Sequence, residues 1–574
     1  MAARSADIPF LRVPVGDDAH RWSTFPGERT LVVATRTLTS TIRVLESLPA
    51  VLRGDPRVTV VFAHDPTSAF SDGSLDLLHD AGCRVMPWEQ LSRITPDLIL
   101  SASENIEVPD GDCPVLVLPH GIGFQKYVPD SRSARSRLSG VAHDALLATG
   151  RAWTAVSHPE QERQLLAAHP KTAGRTLLVG DPCLDELLVS AHRRGHYRRA
   201  LGVGEGQRLV MVSSTWGPTS LIGRHPDLPA RLLAGLPWDA YRVALVLHPN
   251  VWSAHGAWHL RTLQARALDA GLVLVPPVHD WRPALVAADA VVGDHGSVTL
   301  YGAALGKPLA LAAYGQDAVP GTAGAALARL APRFDPEREA LPQLADVLRT
   351  HEGEPGRYAP AAARAFDAPG TALARLRTAV YELLRLEPPP ATPPSPLSLT
   401  PPDATAGAVV ASWVVTTRAR TGDDGASAVR VRRVPAAVSE GLDEDDGCFA
   451  HLAARPDEER DRRLIESASV LVGSSPAPTT AAAHRWARDT LARWPGALLA
   501  ATALADGDDG DGGECLVALR DGRAVRTAGV PDPGLAAAVV HFRLRAGDTP
   551  DGGAVAVRVG GGLDGTVRLR PFPF

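Results

Sequence analysis

What the 574-residue chain has little of narrows its class before any motif is read. Cysteine is scarce: Cys83, Cys113, Cys183, Cys448 and Cys515 are scattered, odd in number and never spaced as CxxC. That pattern excludes a disulfide scaffold or zinc ribbon and points to a reducing cytoplasm. No apolar run reaches the ~18 residues that a membrane span needs. The opening MAARSADIPFLRV lacks the apolar core of a secretory signal. There is no basic excess either, with 59 Lys+Arg against 64 Asp+Glu and a net charge of −5, which argues against a nucleic-acid partner. The absence of a P-loop, of a GxSxG elbow and of a GxGxxG at the first helix removes P-loop NTPases, elbow hydrolases and NAD enzymes. Lysine occurs only at Lys126, Lys171 and Lys307. With alanine, glycine and proline abundant, this is the bias of a GC-rich bacterial genome. Most arginines therefore need no functional explanation, and the three lysines are the better clues.

What remains is an ordinary globular composition, 45% hydrophobic and 21% charged, in a chain too long for one domain. The segment Glu387–Asp403, EPPPATPPSPLSLTPPD, cannot continue a helix or a central strand and reads as an extended, semi-rigid spacer. Before it, apolar strands alternate with helical stretches. One series is Leu31–Thr35, Val58–Ala63, Asp97–Leu100, Val115–Leu118, Trp153–Val156 and Thr176–Val179; a second is Leu209–Ser213, Val243–Leu247, Leu272–Val275, Ala290–Val292 and Pro308–Leu311. Helices such as Thr39–Leu52 and Trp258–Asp269 lie between them. Such alternation predicts an α/β fold of two doubly wound, Rossmann-type domains facing across a cleft, with one larger sheet as the competing arrangement. The expected division is 1–195, 196–386 with a returning C-terminal helix, a Pro-rich linker 387–405, and a C-terminal α+β domain 406–574. In that last part, Glu459–Val470 and Thr479–Arg493 read as helices, and Leu516–Leu519, Ala524–Thr527, Val555–Val559 and Val567–Leu569 as hairpin strands. The acidic run Asp506–Gly513 lacks EF-hand spacing and reads as a solvated loop. Asp110-Gly111-Asp112 reads as a turn, so no metal site and no cofactor is expected.

Ligands of open parallel sheets bind beyond the carboxyl ends of the strands. Four segments leave such ends. VLVLPHGIGFQK places His120 and Gly121 at a strand tip with Lys126 downstream; the imidazole suits proton removal from a hydroxyl, or is simply a turn histidine. VALVLHPN places His248 likewise, although His-Pro recurs at His158, His169 and His225. AVVGDHGSVTLYGAALGKPL carries a polar turn into a helix opening at Ser297, where free amides suit phosphate and Thr299 adds a hydroxyl; Ser297 as a plain N-cap is the structural alternative, and Lys307 reads as loop punctuation. LVMVSSTWGPT brings Ser214, Thr215 and Trp216 to the same rim, as ligand contacts or as an ordinary turn.

In order, these segments resemble the CDP-glycerol glycerophosphotransferases, the teichoic-acid primases and polymerases of the GT-B fold. LPHGIGFQK is similar to that family's His-Gly…Lys, VGDPCLDEL to its Gly-Tyr/Asp-Pro-x-x-Asp, Ser214-Thr215-Trp216 to its Pro-Thr-Trp, His248-Pro249 to its His-Pro, and GDHGSV with GKPL to its Thr-Asp-Tyr-Ser-Ser helix start. The likeness spans about residues 100 to 315. It implies His120 as general base, His248, Ser297 and the Val298 backbone as diphosphate ligands, Asp294 fixing that loop or a bound hydroxyl, and Lys126 near the acceptor. It also implies a nucleotide-diphosphate donor, a hydroxyl acceptor in cell-envelope polymer synthesis, and work at the inner membrane face. The chain departs from the pattern at His295 and Gly296, where the family has Tyr and Ser, at Pro119 before the first His-Gly, and at Gly217. The other readings are a GT-B glycosyltransferase or sugar-nucleotide epimerase, and a non-catalytic nucleotide- or polymer-binding protein.

Overall fold

The computed structural model describes residues 15, 21, 23–25, 27–130, 136–390, 392–403, 409–421, 427–440, 447–505, 513–560 and 563–572. The opening residues 1–14 and the acidic run at 506–512 lie outside them. The first nine strands are β1 (Arg29–Thr35), β2 (Val58–His64), β3 (Val85–Pro87), β4 (Leu98–Ser101), β5 (Val115–Val117), β6 (Tyr127–Pro129), β7 (Ser136–Leu138), β8 (Ala152–Val156) and β9 (Thr176–Leu178). Seven of them form a parallel sheet in the order β3-β2-β1-β4-β5-β8-β9, while β6 and β7 form a small antiparallel pair. A second sheet is built from β10 (Arg208–Ser214), β11 (Tyr241–Leu247), β12 (Val273–Val275), β13 (Ala290–Gly293) and β14 (Leu309–Leu311), in the order β12-β11-β10-β13-β14.

Both sheets thus reverse direction of growth beside their first strand, the doubly wound pattern that opens a crevice at the carboxyl ends there. The strands are apolar on both faces because both faces are covered. Leu31 and Val33 pack under the helix Leu38–Val51, whereas Val32 and Ala34 belong to the opposite core. In the second sheet Val210 and Val212 separate in the same way from Leu209 and Met211. The helix Ala372–Leu384 returns to the first lobe, where Leu376, Val380 and Leu384 join its core and the Tyr381 hydroxyl donates to Asp55 (2.8 Å).

The structure adds detail to two expectations. The proline-rich stretch is irregular and is laid on the lobes as a strap. Leu399 is buried; its carbonyl accepts from the Tyr197 hydroxyl and Arg193 (2.8 Å each), and its amide donates to Ser190 (2.9 Å). The strands of the C-terminal α+β part close into a barrel. Its strands are β15 (Ser412–Thr421), β16 (Ser427–Pro435), β17 (Cys448–Ala454), β18 (Val470–Val472), β19 (Leu499–Ala503), β20 (Cys515–Leu519), β21 (Ala524–Ala528), β22 (Gly553–Val559) and β23 (Leu563–Pro571). The expected helix Glu459–Val470 is shorter, Arg462–Ser467, because Val470 opens β18. Through the barrel's interior runs the helix Pro533–Ala546, whose residues Gly534 to His541 are all buried. A helix apolar around its whole circumference is stable only when wrapped on every side.

The barrel docks on the second lobe around one buried guanidinium, with Arg432 donating to the carbonyls of Ala234 (3.1 Å) and Gly235 (3.0 Å) and Val438 packing into the lobe's core. Buried Arg433 on β16 hydrogen-bonds Asp239 of the lobe and also bridges Asp532 (2.7 Å), the N-cap of the central helix. Trp238 and Trp413 meet edge-on beside it, centroids 5.6 Å apart. Replacing Arg433 by methionine strands the buried Asp239 carboxylate away from water, so we expect a loss of about 3–5 kcal/mol. Urea denaturation of the full chain checks this; an unchanged midpoint would refute the anchoring role.

Candidate functional site

The carboxyl ends of the two sheets face each other, and the loops leaving them line one cavity of about 470 Å³. Arg36 and Thr37 follow β1, Glu104 follows β4 and His120 follows β5; Ser214–Trp216 follow β10, His248–Asn250 follow β11, and His295–Val298 follow β13. The lobes touch across it. Phe70 meets Trp216, centroids 5.4 Å apart, and the Ile122 amide donates to the Ser297 hydroxyl (3.2 Å). A Cβ on Gly121 would lie 3.0 Å from that hydroxyl, so glycine permits this approach.

His120 and His248, from opposite lobes, both line the cavity. His248 is the N-cap of the helix Pro249–Leu263, which starts well before the expected Trp258 and kinks at Gly256. Its Nδ1 accepts from the Asn250 amide (3.1 Å), which leaves the ring proton on Nε2. Burial first, then the nearby His120 and Lys126, push its pKa down to about 3. At neutral pH it is an uncharged hydrogen-bond donor. His158 caps the helix Pro159–Ala168 identically, through the Glu160 amide (3.1 Å), yet does not line the cavity. At His158 and His248 the His-Pro pair is thus a capping device, and only its placement makes His248 notable.

Ser214, Thr215, Ser297, Val298, Gly121 and Lys126 also line the cavity. Two residues expected at the ligand do not. Asp294, 1% exposed, accepts from the amides of Thr215 (2.9 Å), Leu221 (2.8 Å) and Gly296 (2.9 Å). Its carboxylate is consumed in holding the turn in shape. Thr299 lies at the third position of the helix Ser297–Ala304, which turns its side chain into a separate void of about 20 Å³ behind that turn. Gly293 is needed there, since a Cβ would come within 2.3 Å of the Thr299 hydroxyl. The N-cap of this helix is Gly296 rather than Ser297. Lys307, instead of marking a loop, donates to the carbonyls of Val286 (2.7 Å) and Ala288 (2.8 Å) at the end of the helix Trp281–Ala287.

Each of the four lysine and arginine side chains lining the cavity already has a carboxylate: Arg36 with Asp65 (3.1 Å), Arg43 with Asp181 (3.4 Å), Lys126 with Asp317 (3.1 Å) and Arg137 with Glu104 (2.8 Å). Lys126 also donates to the Trp216 carbonyl (2.8 Å) and lies 4.9 Å from the centre of its indole. Asp317 is approached by His295 Nε2 (3.2 Å) and the Thr219 hydroxyl (2.8 Å); with Lys126, these outweigh burial and hold its carboxyl well below the usual range. His295 is thus a buried tie between loops, its Nδ1 accepting from the Gly315 amide (3.2 Å). An anion in this cavity meets mainly neutral donors: the first amides of the Ser297 helix, which lack intrahelical partners, hydroxyls, and His248 Nε2–H. Glu104, Arg137, Asp317, Arg43 and Asn250 were not legible as site residues, because their meeting depends on contacts between distant segments. Among the described residues, no group of three or more His, Cys, Asp or Glu is placed to hold a metal ion.

No family model and no curated protein sequence matches the chain. Among solved structures, a variant of the wall teichoic acid polymerase TagF is 12% identical, covering 62% of this chain and 89% of its own, with a TM-score of 0.42. A UDP-GlcNAc 2-epimerase from Neisseria meningitidis is 14% identical over 62% of this chain and all of its own (100%), TM-score 0.37. A glycosyltransferase from Rickettsia africae ESF-5 is 11% identical over 62% and 98%, TM-score 0.38. Similarity this remote leaves function to be argued from the site.

Two measurements check these assignments. In a pH titration followed by imidazole nitrogen NMR, His248 should stay neutral and Nε2-protonated down to about pH 5 or lower; a midpoint near its ordinary 6.5 would contradict its environment. Because the folded value lies below the unfolded one, His248 contributes stability that is complete above pH 6.5 and is lost as pH falls toward 3. Separately, Asp294→Ala orphans three amides at about 1–3 kcal/mol each, so its Tm should fall sharply, and that of Asp294→Asn by less. A parent-like Tm for Asp294→Ala would remove Asp294 as the anchor of the turn.

Proposed function

We propose that the chain is a transferase using a nucleotide-diphosphate donor, of the polyol-phosphate (CDP-glycerol) type suggested by the resemblance of its rim segments. The observation that carries this reading is the meeting of His120 and His248, from opposite lobes, in one cavity beside the amide-rich helix start at Ser297. Phosphoryl transfer asks for positioning and charge stabilisation more than covalent help. The helix amides, Ser297 and His248 Nε2–H hold the diphosphate, Ser214 and Thr215 complete that wall, and Asp294 keeps the turn rigid. His120 takes the proton of an acceptor hydroxyl as its oxygen attacks the donor phosphorus; the bond from that phosphorus to the nucleotide breaks, and CMP leaves. Lys126 and Gly121 close the acceptor side. The acceptor is a hydroxyl on a cell-envelope polymer or its lipid-linked precursor, met at the inner membrane face. Among the described residues, no helix is long and apolar enough to cross a membrane.

The test is donor profiling on the full chain, with CDP-glycerol, UDP- and GDP-linked sugars screened by thermal shift and then by product analysis. Release of CMP with phosphate transferred to the acceptor supports the proposal. Release of UDP or GDP would instead assign a glycosyltransferase, and interconversion of UDP-sugars an epimerase. Binding without turnover of any donor would leave a binding protein. His120→Ala should lower turnover by about 10²–10⁴-fold, the worth of a positioned base, with donor binding retained.

A further inference from the structure

The sequence offers no partner for His120, but the strand register does. β4 and β5 pair in parallel through Ile99↔Val115, Leu100↔Leu116 and Ser101↔Val117. Glu104 and His120 each lie three residues beyond the last of these pairs, so they leave neighbouring strands side by side. Adjacent strands are about 4.8 Å apart, and both side chains line the cavity. Glu104 is buried, 6% exposed, and Arg137 from β7 grips its Oε1 (2.8 Å). Burial alone would raise the Glu104 carboxyl; Arg137 and then His120 outweigh it and keep the group ionised. A carboxylate stripped of water, fixed by a guanidinium and lining the same cavity as an imidazole costs the fold desolvation that packing alone does not require.

We infer that Glu104 is the positioning residue for His120, and that the Arg137–Glu104 pair is the fixed counter-charge for the imidazolium that forms at the acceptor side. This rests on the proposed role of His120 as base. When the acceptor O–H bond breaks and its proton moves to a ring nitrogen of His120, the positive charge arises beside Glu104. The carboxylate stays ionised because Arg137 occupies it, so the proton remains on His120 until solvent takes it. Among the described residues, the charged neighbours that act on His248 are His120 and Lys126, with no carboxylate beside them. The two imidazoles are thereby set to opposite tasks, one to accept a proton and the other to donate a hydrogen bond.

Glu104→Gln keeps the shape and an oxygen for Arg137 while removing the charge. It should lower kcat by roughly 10–100-fold, the usual cost of removing the outer partner of a functional histidine, with KM within about twofold. The acid limb of kcat/KM should move to lower pH, and Glu104→Asp should recover part of kcat. Imidazole NMR of the full chain, without substrate, supplies a readout independent of turnover. At fixed neutral pH, Glu104→Gln should displace the ring-nitrogen resonances of His120 and leave those of His248 unmoved. Identical His120 resonances in parent and variant would overturn the inference, as would a variant that loses Tm while its kcat/KM pH profile stays in place. If no donor is turned over, the transferase reading fails, yet the ring resonances still decide Glu104.

Discussion

One buried guanidinium fixes how the two rims meet. Arg43, on the first helix of the chain, donates to the carbonyl of Pro119, the residue before His120 (3.2 Å). It also reaches Asp181 and the hydroxyl of Tyr301 (3.4 Å each), and Tyr301 itself donates to Asp181 (2.7 Å). Tyr301 lies on the helix that opens at Ser297, and Asp181 caps the helix Pro182–Val189 that follows the last strand of the first sheet. A single desolvated charge therefore ties the His120 loop, the lobe junction and the Ser297 helix together. With both donor and acceptors buried, the arrangement tolerates little displacement, because any group left unpaired carries the full cost of its lost hydration.

That economy explains the electrostatics of the cavity. Its cations are already neutralised by carboxylates inherited from the fold, so the cavity holds no reservoir of free positive charge to attract anions indiscriminately. What the cavity offers an anion is dipoles and neutral donors, whose strength depends on direction more than on charge. Such donors act only while the turn that carries them is rigid, which is the function of the Asp294 carboxylate behind it. The buried His295 contributes from the other side by tying the same turn to the Gly315–Asp317 loop. Residues 295 and 296 thus serve the turn itself, His295 as a tie and Gly296 as the helix cap.

The strand-and-helix alternation of residues 30–386 was legible because the inner parallel strands, such as Val115–Val117 and Ala290–Gly293, are buried on both faces and read as short apolar runs between turn residues. The short strand Val85–Pro87 and the β6–β7 pair were not, since each buries only one residue (Met86, Val128 and Leu138) and so presents no buried apolar run. His120, His248 and Ser297 could be located because strand ends announce themselves locally. Asp294 and Thr299 sat next to the same strand end, but whether a side chain faces the cavity or the turn behind it depends on the helix phase, which Gly296 as cap shifts by one residue. Glu104, Arg137 and Asp317 gave no local signal at all: an acidic residue in a loop acquires meaning only from the distant segment folded against it.

The barrel shows the same limit from the opposite direction. PGLAAAVVHF has no polar face, so helical periodicity vanishes where burial is most complete. Asp532, which caps that helix, shares Arg433 with Asp239 of the second lobe. The start of the barrel's own core element is therefore completed by a side chain that the lobe also requires. Folding of the barrel and its docking are coupled through that one guanidinium, since separating the two would leave a carboxylate of the lobe buried without a counter-charge or exposed at a hydrated gap. The C-terminal unit is held to the second lobe at this point by Arg432 and Val438 as well, so the strap anchored at Leu399 is not its sole attachment.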